Sequence, residues 1–105
     1  MKASISYKVG LFKRLQDPER ALGYLQECFK DEDPRVFLIA LRDVAEARGG
    51  LAKLARAAGI AREHLYQLLS LKGNPELKSL EKILGALGFQ LSVEKKRPRK
   101  LKEAA

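Results

Sequence analysis

A single cysteine, Cys28, and a single histidine, His64, are all that 105 residues hold of two common metal-ligating residue types. One cysteine closes no disulfide within the chain and builds no zinc finger, and one histidine without partners makes no metal site. Cys28 falls on the apolar side of a helical pattern, where a free cysteine behaves as a small buried hydrophobe. Long apolar runs are also missing, since none approaches the ~20 residues a membrane helix needs. The start, Met1 to Ser6, has one lysine but no apolar stretch or cleavage pattern behind it, so it does not read as a secretion signal. A cytoplasmic chain without membrane association is expected. No glycine-rich phosphate loop and no serine-nucleophile motif occurs. Asp31-Glu32-Asp33 is a run of carboxylates at a helix junction, and it reads as a helix start in solvent. No enzyme, no cofactor and no metal site is expected.

What is present is 46% hydrophobic and 32% charged residues, the balance of a soluble globular chain. Its length suits one domain with a helical core and is too short for two independent ones. The 21 Lys+Arg against 13 Asp+Glu leave a formal net charge of +8. Such an excess favours a polyanionic partner, nucleic acid or an anionic membrane surface, although a charged run by itself is more often a solvated face than a binding site.

Residues 1–16 form an N-terminal segment without a clean period. Tyr7, Val9, Leu11, Phe12 and Leu15 suit a short strand or an arm lying on a neighbour. Asp17-Pro18-Glu19 then reads as a helix start, with Asp17 as cap and Pro18 at the first helical position. Leu22, Leu25 and Phe29 follow at helical spacing, with Ala21 and Cys28 beside them. Asp33-Pro34 repeats the signal, and Phe37, Leu41 and Val44, flanked by Ala40 and Ala47, make the next stripe before Gly49-Gly50. Two short helices over 52–57 and 62–69 come next, then a loop from Ser70 to Pro75. A last helix carries Leu77, Leu80, Ile83, Leu84 and Leu87 inward and is closed by Gly88. Phe89, Leu91 and Val93 alternate with Gln90, Ser92 and Glu94, which predicts a C-terminal β-strand. Its backbone needs a partner, either the N-terminal segment or the same strand of a second subunit. The expected organisation is therefore a segment over 1–16, an all-α domain of about five helices plus one strand over 17–94, and a basic tail over 95–105.

The most informative stretch runs from Leu51 to Ser70. Two short helices crossing at ~90–120° need a small residue where they approach, and Ala55 supplies it beside Leu54. Gly59 tolerates the positive φ of a tight turn, Ile60 fills the corner, and Leu65 and Leu68 anchor the second helix. Ala61, Arg62, Glu63, Tyr66 and Gln67 are left off the buried face. In a helix-turn-helix, the first part of the second helix enters the major groove. Arg62 can grip guanine or a phosphate, Gln67 can pair with adenine, and Glu63 can accept from cytosine. Tyr66 suits a thymine methyl, a phosphate, or packing against the next loop. Lys53, Ser70 and Lys72 complete the candidate DNA-binding set, and His64 suits a phosphate or base-edge contact or simple exposure. Antiparallel helix pairs also use glycine turns without touching DNA. Here the small residue, the glycine, the corner aliphatic and both leucines all fall at the required offsets.

From about Leu25 to Val93 the chain resembles the HigA-like addiction-module antidote family, antitoxins with a lambda-repressor-like helix-turn-helix. The likeness rests on Ala40-Leu41-Arg42-Asp43-Val44-Ala45, Ala47-Arg48-Gly49, Leu54-Ala55, Ala58-Gly59-Ile60, Arg62-Glu63, Leu65-Tyr66, Gly73-Asn74-Pro75 and Ala86-Leu87-Gly88-Phe89. The resemblance implies a double role: binding and neutralising a small co-encoded toxin, typically RelE-like and messenger-RNA-cleaving, and repressing the shared operon as a dimer. Two positions depart from the pattern. Leu51 stands where many such domains carry a phosphate-contacting glutamine. Ala61 stands where the family often has serine, and losing that cap costs ~1 kcal/mol.

The expected function is thus a sequence-specific DNA-binding antitoxin, a homodimer with an operator duplex and a small toxin as partners. The alternatives are a stand-alone prophage-type regulator without a toxin, and a protein-interaction module that never meets DNA. A short toxin-sized reading frame beside the gene separates the first from the second. The tail from Lys95 suits a phosphate-tracking arm, a toxin-binding segment or a solubilising end.

Overall fold

The computed structural model describes residues 2–97, with side chains from Tyr7 onward. It contains α1 (Lys2–Leu15), α2 (Pro18–Phe29), α3 (Pro34–Ala47), α4 (Leu51–Ala58), α5 (Arg62–Leu68) and α6 (Leu77–Ala86), and no strand among the described residues. The all-α class stands, with six helices rather than about five.

The additional helix is α1, where a strand or an arm was expected. Leu11 and Leu15, one turn apart, are buried, and Phe12 packs beside them, while Tyr7 and Val9 face solvent. Among the described residues, two leucines four apart with Phe12 beside them are the inward stripe of this helix. The exposed Tyr7 and Val9 mask their helical period. With that stripe α1 packs on α2 and α3.

The two Asp-Pro pairs open α2 and α3. Asp17 accepts from the Glu19 N–H at 3.1 Å and Asp33 from the Arg35 N–H at 2.9 Å, each satisfying a free donor of the first turn. Around α3 the core closes: Leu41 and Val44 are fully buried, and Leu15 of α1, Leu65 and Leu69 at α5 and Ile83 of α6 reach the same interior. Leu38, which the sequence stripe passes over, is buried as well. Tyr24 ties α2 to α3 by donating to Asp43 Oδ2 at 2.8 Å. Cys28 is half-buried against the core, and burial raises its thiol above the usual range, which suits packing and not nucleophilic attack.

Three residues expected inward lie at the rim. On α2 the buried stripe is Ala21 and Leu25, with Tyr24 and Cys28 packed beside it, so Leu22 and Phe29 fall at its margin and are exposed. Phe29 meets Phe37 edge-on, with ring centres 4.9 Å apart. Leu77 is exposed because it is the first residue of α6, with no element left to cover it.

The expected C-terminal strand is absent. Residues 89–97 run without regular structure, Phe89 half-buried, Leu91 and Val93 exposed. Alternation specifies an extended backbone but not the neighbour that would make it a strand. The N-terminal segment, one of its two expected partners, is the helix α1. Leu22, Phe29, Phe37, Phe89 and Leu91 instead line an open groove of about 480 Å³. Most of the expected basic tail, from Pro98 on, lies outside the described residues.

Candidate nucleic-acid interface

α4 stops at Gly59, whose backbone is left-handed at φ 70° and ψ 34°. The Gly59 N–H donates to the Arg56 carbonyl at 3.3 Å and the Ile60 N–H to the Ala55 carbonyl at 3.0 Å. This double closure is a Schellman motif, and it demands the one residue that takes positive φ without a Cβ penalty. Ile60 is half-buried and packs on the core, and the chain then re-enters helix at Arg62. Ala61, at the start of α5, makes no side-chain cap, as its missing hydroxyl dictates.

Leu51, Leu54, Ala55 and Ala58 are buried on α4, and Leu65 and Leu68 on α5, followed by Leu69. α4 and α5 pack on one another, and α4 also packs on α6 and α3. The unit is compatible with a helix-turn-helix. On its outer side Ala61, Arg62, Glu63, His64, Tyr66 and Gln67 are all exposed, as are Lys53 and Lys72. Ser70 differs: it is half-buried, and its hydroxyl donates to the Gln67 carbonyl at 2.8 Å, occupying one of the free acceptors at the end of α5. Lys53 folds its stem over Gly49, so a side chain at position 49 would displace it.

Three residues outside the expected site shape this surface. Gly73 lies against the end of α5, and a Cβ there would collide with the Leu68 carbonyl, with its carbon only 2.6 Å away. Close approach, not turn geometry, requires that glycine. Arg48, half-buried, donates from Nη1 to the Leu87 carbonyl at 3.0 Å and stacks over Phe89 with its guanidinium carbon 5.7 Å from the ring centre. It fastens the end of α3 to the end of α6. Arg42, on α3, donates from Nε to Glu46 at 3.2 Å and stands 5.9 Å from the centre of the Tyr66 ring. The guanidinium carbon of Arg62 stands 5.6 Å from that ring, and its Nη2 donates to the Tyr66 hydroxyl at 3.4 Å. Neither Arg42 nor Arg48 carries a signal in periodicity, because each acts across a distance in sequence that only folding closes.

The positive charge is unevenly placed along the chain. Residues 1–50 carry nine Lys/Arg against eight Asp/Glu, and residues 51–105 carry twelve against five. Nearly all of the excess therefore belongs to the second half, where residues 51–94 carry six Lys/Arg against four Glu and residues 95–105 six against one. Among the described residues no three His, Cys, Asp or Glu side chains gather closely enough to hold a metal ion. No described helix is long and apolar enough to cross a membrane.

A family model described as "Probable addiction module antidote protein" matches residues 6–95. A Haemophilus influenzae protein carrying the name "Uncharacterized protein" is 38% identical over 85 residues, which is 81% of this chain and 87% of its own length. No solved structure matches the chain.

Proposed function

The chain belongs to the probable addiction module antidote family, and on that premise we propose that it is a DNA-binding antitoxin. It neutralises a small co-encoded toxin of the RelE-like type and represses its own operon, as a cytoplasmic homodimer. The observation that carries the DNA half is the outward run Arg62, Glu63, Tyr66 and Gln67 on α5, directly after the glycine turn. Arginine, glutamate and glutamine there have the donors and acceptors that base edges in the major groove require. The positive excess of the same half of the chain supplies the phosphate attraction that any such contact depends on.

The dimer is proposed through residues 89–93. The Phe89 N–H is bonded to the Leu84 carbonyl at 2.8 Å, but residues 90–93 make no backbone hydrogen bond among the described residues, and two copies side by side would satisfy one another there. Half-sites would then repeat at ~34 Å or a multiple along the operator.

Co-expression with the neighbouring small reading frame tests the toxin half. The expected result is restored growth and co-purification of the two products. A neighbour that is harmless alone, or that never co-purifies, would overturn it. Gel shifts on the region upstream of the gene test the DNA half, with retention of that duplex over an unrelated one expected and equal retention counting against it.

A further inference from the structure

Tyr66 is an exposed tyrosine that holds two arginines from two helices. Arg62 reaches it from its own helix, one turn away, and Arg42 reaches it from α3, which sequence reasoning leaves out of the interface. A guanidinium is drawn to an aromatic face, but two of them near one ring repel each other. The one carboxylate paired with either, among the described residues, is Glu46, and it engages Arg42 through Nε alone. The two terminal nitrogens of Arg42 are therefore left with their N–H groups unpaired by any described residue, the forked end that fits a phosphate. Arg62 is the first residue of the helix proposed to enter the groove, and Arg42 stands beside that helix.

We infer that Arg42 is a phosphate-contacting residue of the DNA interface, and that Tyr66 is a positioning residue holding Arg42 and Arg62 at the edge of α5. This rests on the DNA-binding reading and deepens it: α3 would contribute to the same surface as α5. It also assigns Tyr66 an orienting task in place of reading a thymine. The contrasting possibility is an ordinary exposed Arg42–Glu46 pair on the helix surface, which would leave DNA binding untouched.

The test is fluorescence anisotropy of the full chain with two labelled duplexes of equal length, the region upstream of the gene and a scrambled version of it, across about 50 to 200 mM KCl. Arg42→Gln should weaken binding to both duplexes by about threefold to tenfold and flatten the plot of log K against log salt by about 0.9. The ratio between the duplexes should stay as in the parent, since a phosphate contact carries no sequence information. Tyr66→Leu removes the ring and should flatten the salt dependence at least as much as Arg42→Gln, whereas Tyr66→Phe keeps the ring but loses the hydroxyl that Arg62 donates to, so its slope should fall between those of the parent and Tyr66→Leu. A parent-like slope and affinity for Arg42→Gln overturns the assignment. So does a changed ratio at an unchanged slope, which would make Arg42 a base reader. Parent-like binding by Tyr66→Leu overturns the role given to the ring. A parent that binds neither duplex brings down the DNA reading and this inference together, whereas a binding parent with an inert Arg42→Gln brings down the inference alone.

Discussion

Arg62, Glu63, Tyr66 and Gln67 point outward because Leu65 and Leu68 point inward. On a helix of seven residues, two buried leucines three apart decide the direction of all the others. Arg62→Ala and Gln67→Ala should each weaken operator binding by ~1–3 kcal/mol and relax preference at one base position, with the melting temperature unchanged. A titration against single-base operator variants checks both. Tyr24 offers a residue-scale prediction about stability. Burial lifts the Asp43 carboxyl above its ordinary range, and the hydrogen bond from Tyr24 pulls it back. Tyr24→Phe removes that restraint, so the folded-state value rises further above the unfolded one. The folded chain then holds at neutral pH a half-buried carboxylate that has lost its hydrogen bond and keeps only the attraction of Lys8 and Arg42, at a cost of about 1–2 kcal/mol. As pH falls through the raised value the folded state takes up the proton first, which relieves the penalty. Urea melts should show the deficit of Tyr24→Phe against the parent narrowing from near pH 7 towards about pH 4.

At the scale of elements, α2 to α6 were legible in sequence from punctuation or from period, and α1 was not. Asp17-Pro18 and Asp33-Pro34 start α2 and α3 because a carboxylate cap and a ring-fixed φ are local devices that need no partner. Gly59 and Gly88 mark helix ends for the same reason. α1 has neither device, and Tyr7 and Val9 among its described apolar residues stay in solvent. Its existence depends on Leu11 and Leu15 finding α2 and α3. Leu15→Ala should therefore cost about 2–5 kcal/mol, as for any large side chain removed from a closed core. Chemical denaturation followed by far-UV circular dichroism checks it, and an unchanged midpoint would mean that α1 is an appendage. The alternating segment 89–93 failed in the opposite sense. Its pattern is local and clear, but a strand is a relation between two segments.

For the whole molecule, the lopsided charge and the free segment at 89–93 belong together in the proposed assembly. Two copies joined through that segment would present two α5 helices, and a two-fold protein calls for an operator with matching symmetry. Cutting the operator between its half-sites and inserting half a helical turn, about 5 base pairs, should abolish tight binding, while a full turn should restore much of it. Size measurements on Leu91→Lys should show a smaller species than the parent if the segment forms the seam. An unchanged size would place the seam elsewhere.

Composition and spacing alone determined the helical class, the Gly59 corner, the inward leucines of α4 and α5, and hence which residues of α5 are exposed. Each of these is written within one or two helical turns, the range over which caps, turns and periodicity act. The tertiary structure decided what depends on contacts between distant segments: that residues 2–15 coil into a helix, that residues 89–93 form no strand, that Arg48 fastens α3 to α6, and that Arg42 reaches Tyr66. Those contacts exist only once the core around Leu41 and Val44 has closed, because burial and long-range side-chain partners are properties of the packed chain and not of any stretch of it.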